Sequence, residues 1–145
     1  MPFTTTSFAS VTFARVRSAD PFDVGFYAGY ALFGFRGTGP DWLRDDLSFI
    51  LPEPPGPGVG GPPVPSNWQR IDDVIPVIAL ATIANDGTAF DAGWAIDDCR
   101  WRTVPSAFGA LSNVELRGQV AARDTDGYIL RLAYQATVIG LKTAA

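Results

Sequence analysis

Two short polar stretches, Asn85-Asp86-Gly87 and Asp124-Thr125-Asp126-Gly127, constrain this chain more than anything else in it. Each separates two apolar, alternating segments. Residues 77–84 and 88–101 flank the first; residues 114–123 and 128–141 flank the second. An X-Asp-Gly loop with Gly in the left-handed position joins antiparallel strands with a bulge. With a three-residue loop, Thr82 faces Phe90, Leu80 faces Ala92 and Ile78 faces Trp94. With Thr125-Asp126-Gly127 as the second loop, Val120 faces Leu132, Leu116 faces Ala136 and Val114 faces Val138. On the other side Arg117 faces Gln135 and Glu115 faces Thr137. A loop one residue longer sets Val120 against Arg131, because a one-residue slip inverts every side chain. Two β-hairpins are expected.

The N-terminal part adds two strands. Residues 3–17 are rich in Thr, Phe and Val and alternate from Ser10 to Val16, with Val11 and Phe13 on one face and Ser10 and Thr12 on the other. Residues 24–36 are apolar on both faces: Phe26, Tyr30 and Leu32 on one, Tyr27, Phe33 and Phe35 on the other. A strand of that kind is covered twice, and a second subunit is the natural second cover. Trp42, Leu43, Asp46, Leu47 and Ile50 follow helical spacing after Pro40, so a short helix is expected over residues 41–50. Ser66 and Gln69 have capping-box spacing and suggest one further turn. The expected fold is all-β: an antiparallel β-sandwich or squat barrel of about six to eight strands, with one short helix.

Composition limits the functions. The 145 residues suit one domain, residues 1–145. With 47% hydrophobic residues, most of it should fold. A net charge of −4 argues against a general nucleic-acid binder and against docking on anionic membranes. Ten of the eleven basic residues are Arg and the acids are nearly all Asp, which leans away from exposed helices. The absence of His removes the commonest general base and metal ligand. One cysteine, Cys99, cannot form an intrachain disulfide or a thiolate zinc site. The first residues lack the basic-then-apolar pattern of a signal peptide, and the apolar run 24–35 is too short to span a bilayer. No membrane insertion, cofactor or metal is expected, and no compartment is indicated.

The candidate sites are few. Asp124-Thr125-Asp126-Gly127 resembles the start of a calcium loop, yet lacks the later Glu and reads as a plain turn. In Asp72-Asp73 and Asp97-Asp98 strand neighbours point to opposite faces, and Asp45-Asp46 is expected on the solvent side of the short helix, so none is a catalytic dyad. No hydrolase triad or phosphate loop is visible, so no catalytic residue is assigned. On the strand 90–101, Phe90, Ala92, Trp94 and Ile96 are expected inside. Asp91, Asp97, Cys99 and Trp101 are expected outside. An outward Trp101 with Asp97, Asp91 and Arg100 could stack on a sugar ring and hold its hydroxyls, anchor a subunit contact, or simply pack under a loop.

Residues 51–68 hold seven of the twelve prolines. Too little precedes them to fold alone, so they read as a crossover loop inside one domain. Loops this long are uncommon unless they carry function, and the loop is expected to cross a neighbouring subunit. The reading that follows is a non-enzymatic structural subunit of a homo-oligomeric particle, filament or fibre. Its expected contact residues are Phe26, Tyr27, Tyr30, Phe33, Phe35, Pro54, Pro57 and Pro62. The alternative is a carbohydrate-binding, lectin-like module whose partner is a glycan. An enzyme holding an apolar ligand inside a barrel is the third class.

Overall fold

Backbone pairing along the chain is dominated by long strands that swap sides repeatedly. The structure is a computed structural model. It describes residues 3–4, 7–18, 22–36, 41–56, 58–84, 93–107, 109–123 and 128–142. Those residues contain ten β segments and no helix: β1 (Phe3–Thr4), β2 (Ser7–Arg17), β3 (Asp23–Arg36), β4 (Leu43–Ile50), β5 (Pro52–Glu53), β6 (Val64–Pro65), β7 (Trp68–Ala84), β8 (Gly93–Pro105), β9 (Ser112–Arg123) and β10 (Tyr128–Lys142).

The strands form two groups. In the first, β9 lies between β8 and β4, antiparallel to both, and β1 runs parallel along the far side of β4. In the second the order is β7-β10-β3-β2, antiparallel throughout. Among the described residues one pair, Trp68 with Ser112, joins the groups, and the sheet is not closed. A separate two-stranded ribbon, β5 with β6, pairs Pro52 with Pro65 and Glu53 with Val64.

Both expected hairpins are corrected. β7 pairs with β10, not β8, and β9 pairs with β8 and β4, not β10. The two Asp-Gly stretches and Phe90, Asp91 and Ala92 lie outside the described residues. Apolar residues expected to oppose one another nevertheless meet in the core. Ile78, Val114, Leu116, Val120, Leu132, Ala136 and Val138 all sit in one core cluster. Apolar residues predicted to oppose one another thus share that core while belonging to different groups of strands. Polarity matching across a loop cannot separate a ladder neighbour from a residue facing across a core, since both demand apolar against apolar.

The expected helix over residues 41–50 is a strand. Leu47, Phe49 and then Leu51 alternate inward and are buried, while Trp42 and Leu43, anchors of the helical stripe, are 40% and 42% exposed. Pairing with β9 from Leu43 opposite Ala122 to Ile50 opposite Glu115 outweighs a helical pattern of ten residues. The expected turn at Ser66 is also absent. Ser66 is buried, its N–H donates to the Leu51 carbonyl, and the next residues enter β7.

Two strands change face midway. Ser10 has φ 53° and Asp98 has φ 63°, and at each place the ladder slips. These are bulges at residues that tolerate the left-handed region. In β2 the bulge lets both Phe8 and Phe13 pack on the core despite their odd spacing. In β8 it turns Cys99 and Trp101 inward with Trp94 and Ile96. Gly118 on β9 faces the second bulge. A Cβ there would lie 2.6 Å from the Asp98 carbonyl oxygen, so only glycine admits the kink.

Candidate functional site

One end of the molecule carries a buried polar junction. The Trp68 Nε1–H donates to the Tyr27 hydroxyl at 2.8 Å, and that hydroxyl donates to Glu53 Oε2 at 2.7 Å. Lys142 Nζ donates to the same Glu53 oxygen at 2.7 Å and to the Asn67 carbonyl. It also stands over the rings of Phe13 and Trp68 at 5.5 and 5.3 Å. Burial, then the charge and hydrogen bond of Glu53, push the Tyr27 phenol far above its ordinary value, so it remains a donor. The groups satisfy one another and tie the proline-rich segment to β3, β7 and β10. Chemically the arrangement is a latch.

Asp23 closes the same end. It is fully buried, accepts the Lys142 N–H at 2.9 Å and meets Arg17 Nε at 3.1 Å and Arg15 Nε at 3.3 Å. Burial pushes its carboxyl up. The Lys142 and Arg17 hydrogen bonds and the two Arg charges outweigh that and hold it below the ordinary 3.8. A depressed carboxyl contributes stability above its unfolded value, and that contribution fades as pH falls through the folded one. The acid limb of stability below about pH 4 should therefore be shallower in Asp23→Asn than in wild type. Urea midpoints at pH 2.5, 3.5 and 6 measure this, and parallel profiles would contradict it.

The candidate sugar residues are not brought together. Trp101 is half-buried against the core, opposite Leu116, whereas Asp97 lies on the outer face in an ion pair with Arg44 of β4. Arg100 is outward and pairs with Asp98 at 2.7 Å. Asp91 lies outside the described residues. The outward placement of Trp101 and Cys99 is thus corrected: the Asp98 bulge inverts the alternation on which it rested. Burial pushes the Cys99 thiol up, away from the thiolate form. Among the described residues no group of three or more His, Cys, Asp or Glu side chains converges on a metal site.

The expected contact residues divide. Tyr27 and Phe35 are buried in the core and unavailable to a partner. Phe26 is 47% exposed and Tyr30 half-buried, both on the outer side of β3. Phe33 has no described side chain, and Pro57 lies outside the described residues. Pro54 and Pro62 are exposed. The base of the proline-rich segment is held by its own chain: Leu51 N–H donates to the Val114 carbonyl, and β5 pairs with β6.

The two groups of strands present contrasting outer surfaces. Over β8, β9 and β4 the surface is charged and internally paired: Arg44 with Asp97, Arg100 with Asp98, and Arg102 and Arg117 with Glu115. Gln119 adds a hydrogen bond to Asp46. Over β7, β10, β3 and β2 three successive cross-strand rows carry no charge. They run Ile75-Thr137-Phe26-Ala14, then Val77-Gln135-Ala28-Thr12, then Ala79-Ala133-Tyr30-Ala9. Ile75 and Val77 are 59% and 52% exposed. The sequence signal for this surface was the double apolar character of residues 24–36. The share contributed by β7 and β10 was missed, because those strands were assigned to different partners. Comparison with known protein families, with curated proteins and with solved structures gave no match to this chain.

Proposed function

We propose that this chain is a non-enzymatic β-sandwich subunit that assembles with copies of itself into a homo-oligomeric particle, filament or fibre. The observation that carries the reading is the contrast between the two outer surfaces. Residues on one are charged and mutually paired, which suits water. On the other, a four-stranded face presents isoleucine, valine, alanine and aromatic side chains with no charge across its middle. Large exposed apolar faces of this kind mark contact sites or aggregation hazards. The non-enzymatic part of the reading rests on the histidine-free composition and on a buried polar cluster whose groups are paired with one another.

Light scattering coupled to gel filtration tests the proposal. A discrete oligomer across the micromolar range is the expected result. A monomer throughout that range overturns it.

A further inference from the structure

We infer that the apolar outer face of β7, β10, β3 and β2 is a two-fold contact with a second copy of the same face, its axis running across the strands above Gln135. The inference rests on the assembly reading and specifies which surface assembles and how. Five cross-strand rows define the face. The middle row holds Val77, Gln135, Ala28 and Thr12. Two rows away in one direction stands Asp73, opposite Ile139; two rows away in the other stands Arg131, opposite Leu32 and Thr82. Both charged residues are exposed.

A two-fold axis across the strands reverses their direction and exchanges the end rows. Asp73 of each copy then lies over the Arg131 row of the other, twice by symmetry. A face with one acid at one end and one base at the other is complementary to itself in that orientation. With the axis along the strands, each charge meets its own kind instead.

The relief of the face agrees with the same axis. Row exchange carries Phe26 onto the row of Tyr30 and Ala133. There a hollow of about 250 Å³ is floored by Ala28, Gly29 and Ala133 and walled by Tyr30 and Gln135. A second hollow of about 350 Å³ borders Phe26 itself, and each copy offers a projecting ring and a hollow to the other, as an isologous contact requires. The two Gln135 amides meet near the axis, where each side chain can both donate and accept. Four strands about 4.8 Å apart over roughly ten residues cover on the order of 600 Å² in projection, and side-chain relief brings this near the ~800 Å² per partner of a standard interface. An isologous contact closes after two copies, so a larger assembly would use this dimer as its unit.

Charge exchange tests the axis. Asp73→Arg sets arginine against arginine at both ends and should weaken self-association at least ~10-fold. Arg131→Asp should do the same. The double variant D73R/R131D restores the pairing and should recover association close to wild type. Phe26→Ala should weaken association while each chain stays folded, since the ring is half outside the fold. Sedimentation equilibrium reads the association constant, and circular dichroism confirms that each variant is folded. A wild-type monomer overturns both this contact and the assembly proposal. A wild-type oligomer indifferent to D73R and F26A overturns this contact alone. Weakened single variants with no recovery in D73R/R131D overturn the axis.

Discussion

Trp68→Ala lowers the stability of the fold by about 3–5 kcal/mol, a large part of the total available to a domain of this size. Trp68 is fully buried, and it lies at the one pair that joins the two groups of strands, opposite Ser112. Its indole lies on Gly25 of β3, where a Cβ would come within 2.7 Å of the ring. Its N–H holds the Tyr27 hydroxyl, and its face meets the Lys142 ammonium. Truncation therefore opens a cavity and unpins the proline-rich segment together. Trp42→Ala is the control, because Trp42, just before β4, is 40% exposed, stacks with Arg123 and lies over Gly93. Urea unfolding followed by circular dichroism measures both. A Trp68→Ala loss no larger than the ~1 kcal/mol of an average substitution would mean that the joint does not depend on this ring.

Periodicity in the sequence carried the all-β class and many of the inward residues, such as Val114, Leu116, Val120 and Val138. It did not carry strand partners. Val114, Leu116 and Val120 alternate inward whichever strand lies beside them, so the same pattern fits a β9–β10 hairpin and the observed β8–β9 and β4–β9 ladders. The partner is chosen by the whole set of strands, above all by β10 finding β3 and β7 across long stretches of chain. The bulges were legible in principle. Apolar parity changes from Trp94 and Ile96 to Cys99 and Trp101, with Asp97-Asp98 at the change. Phe8 and Phe13 change parity in the same way around Ser10. A parity switch at a residue that accepts positive φ signals a bulge, and a rigid alternation overlooks it. The sugar-site geometry failed for that reason. Phe26 and Tyr30 lie on the outer side expected for them because the β3–β10 ladder runs without a slip from Asp23 to Leu32.

Lys142→Met should destabilise the protein by about 3 kcal/mol, and adding Glu53→Gln to it should recover much of that loss. The side chains of Lys142 and Glu53 are only 10% and 13% exposed. Breaking a buried pair leaves one charge without compensation, which costs more than replacing the pair together. Methionine keeps the apolar contact with Phe13 and Trp68, so the loss reports charge and hydrogen bonding more than packing. In the single variant Glu53 keeps only the Tyr27 hydroxyl among its partners here, and the Asn67 carbonyl loses its donor. Glu53→Gln removes the stranded charge while an amide oxygen can still accept from Tyr27. A double-mutant cycle in urea gives the coupling directly. The expected value is ~2 kcal/mol or more, and a value near zero would mean that the pair acts as two independent surface charges. Lys142 and Glu53 also connect the last strand to the base of the proline-rich segment. Weakening them should therefore speed cleavage at the exposed Gly58–Gly61 tip by a nonspecific protease before global unfolding begins. If cleavage there tracks global stability alone, the segment is held by β5–β6 pairing and the Leu51 and Ser66 backbone bonds, with no separate contribution from the ion pair.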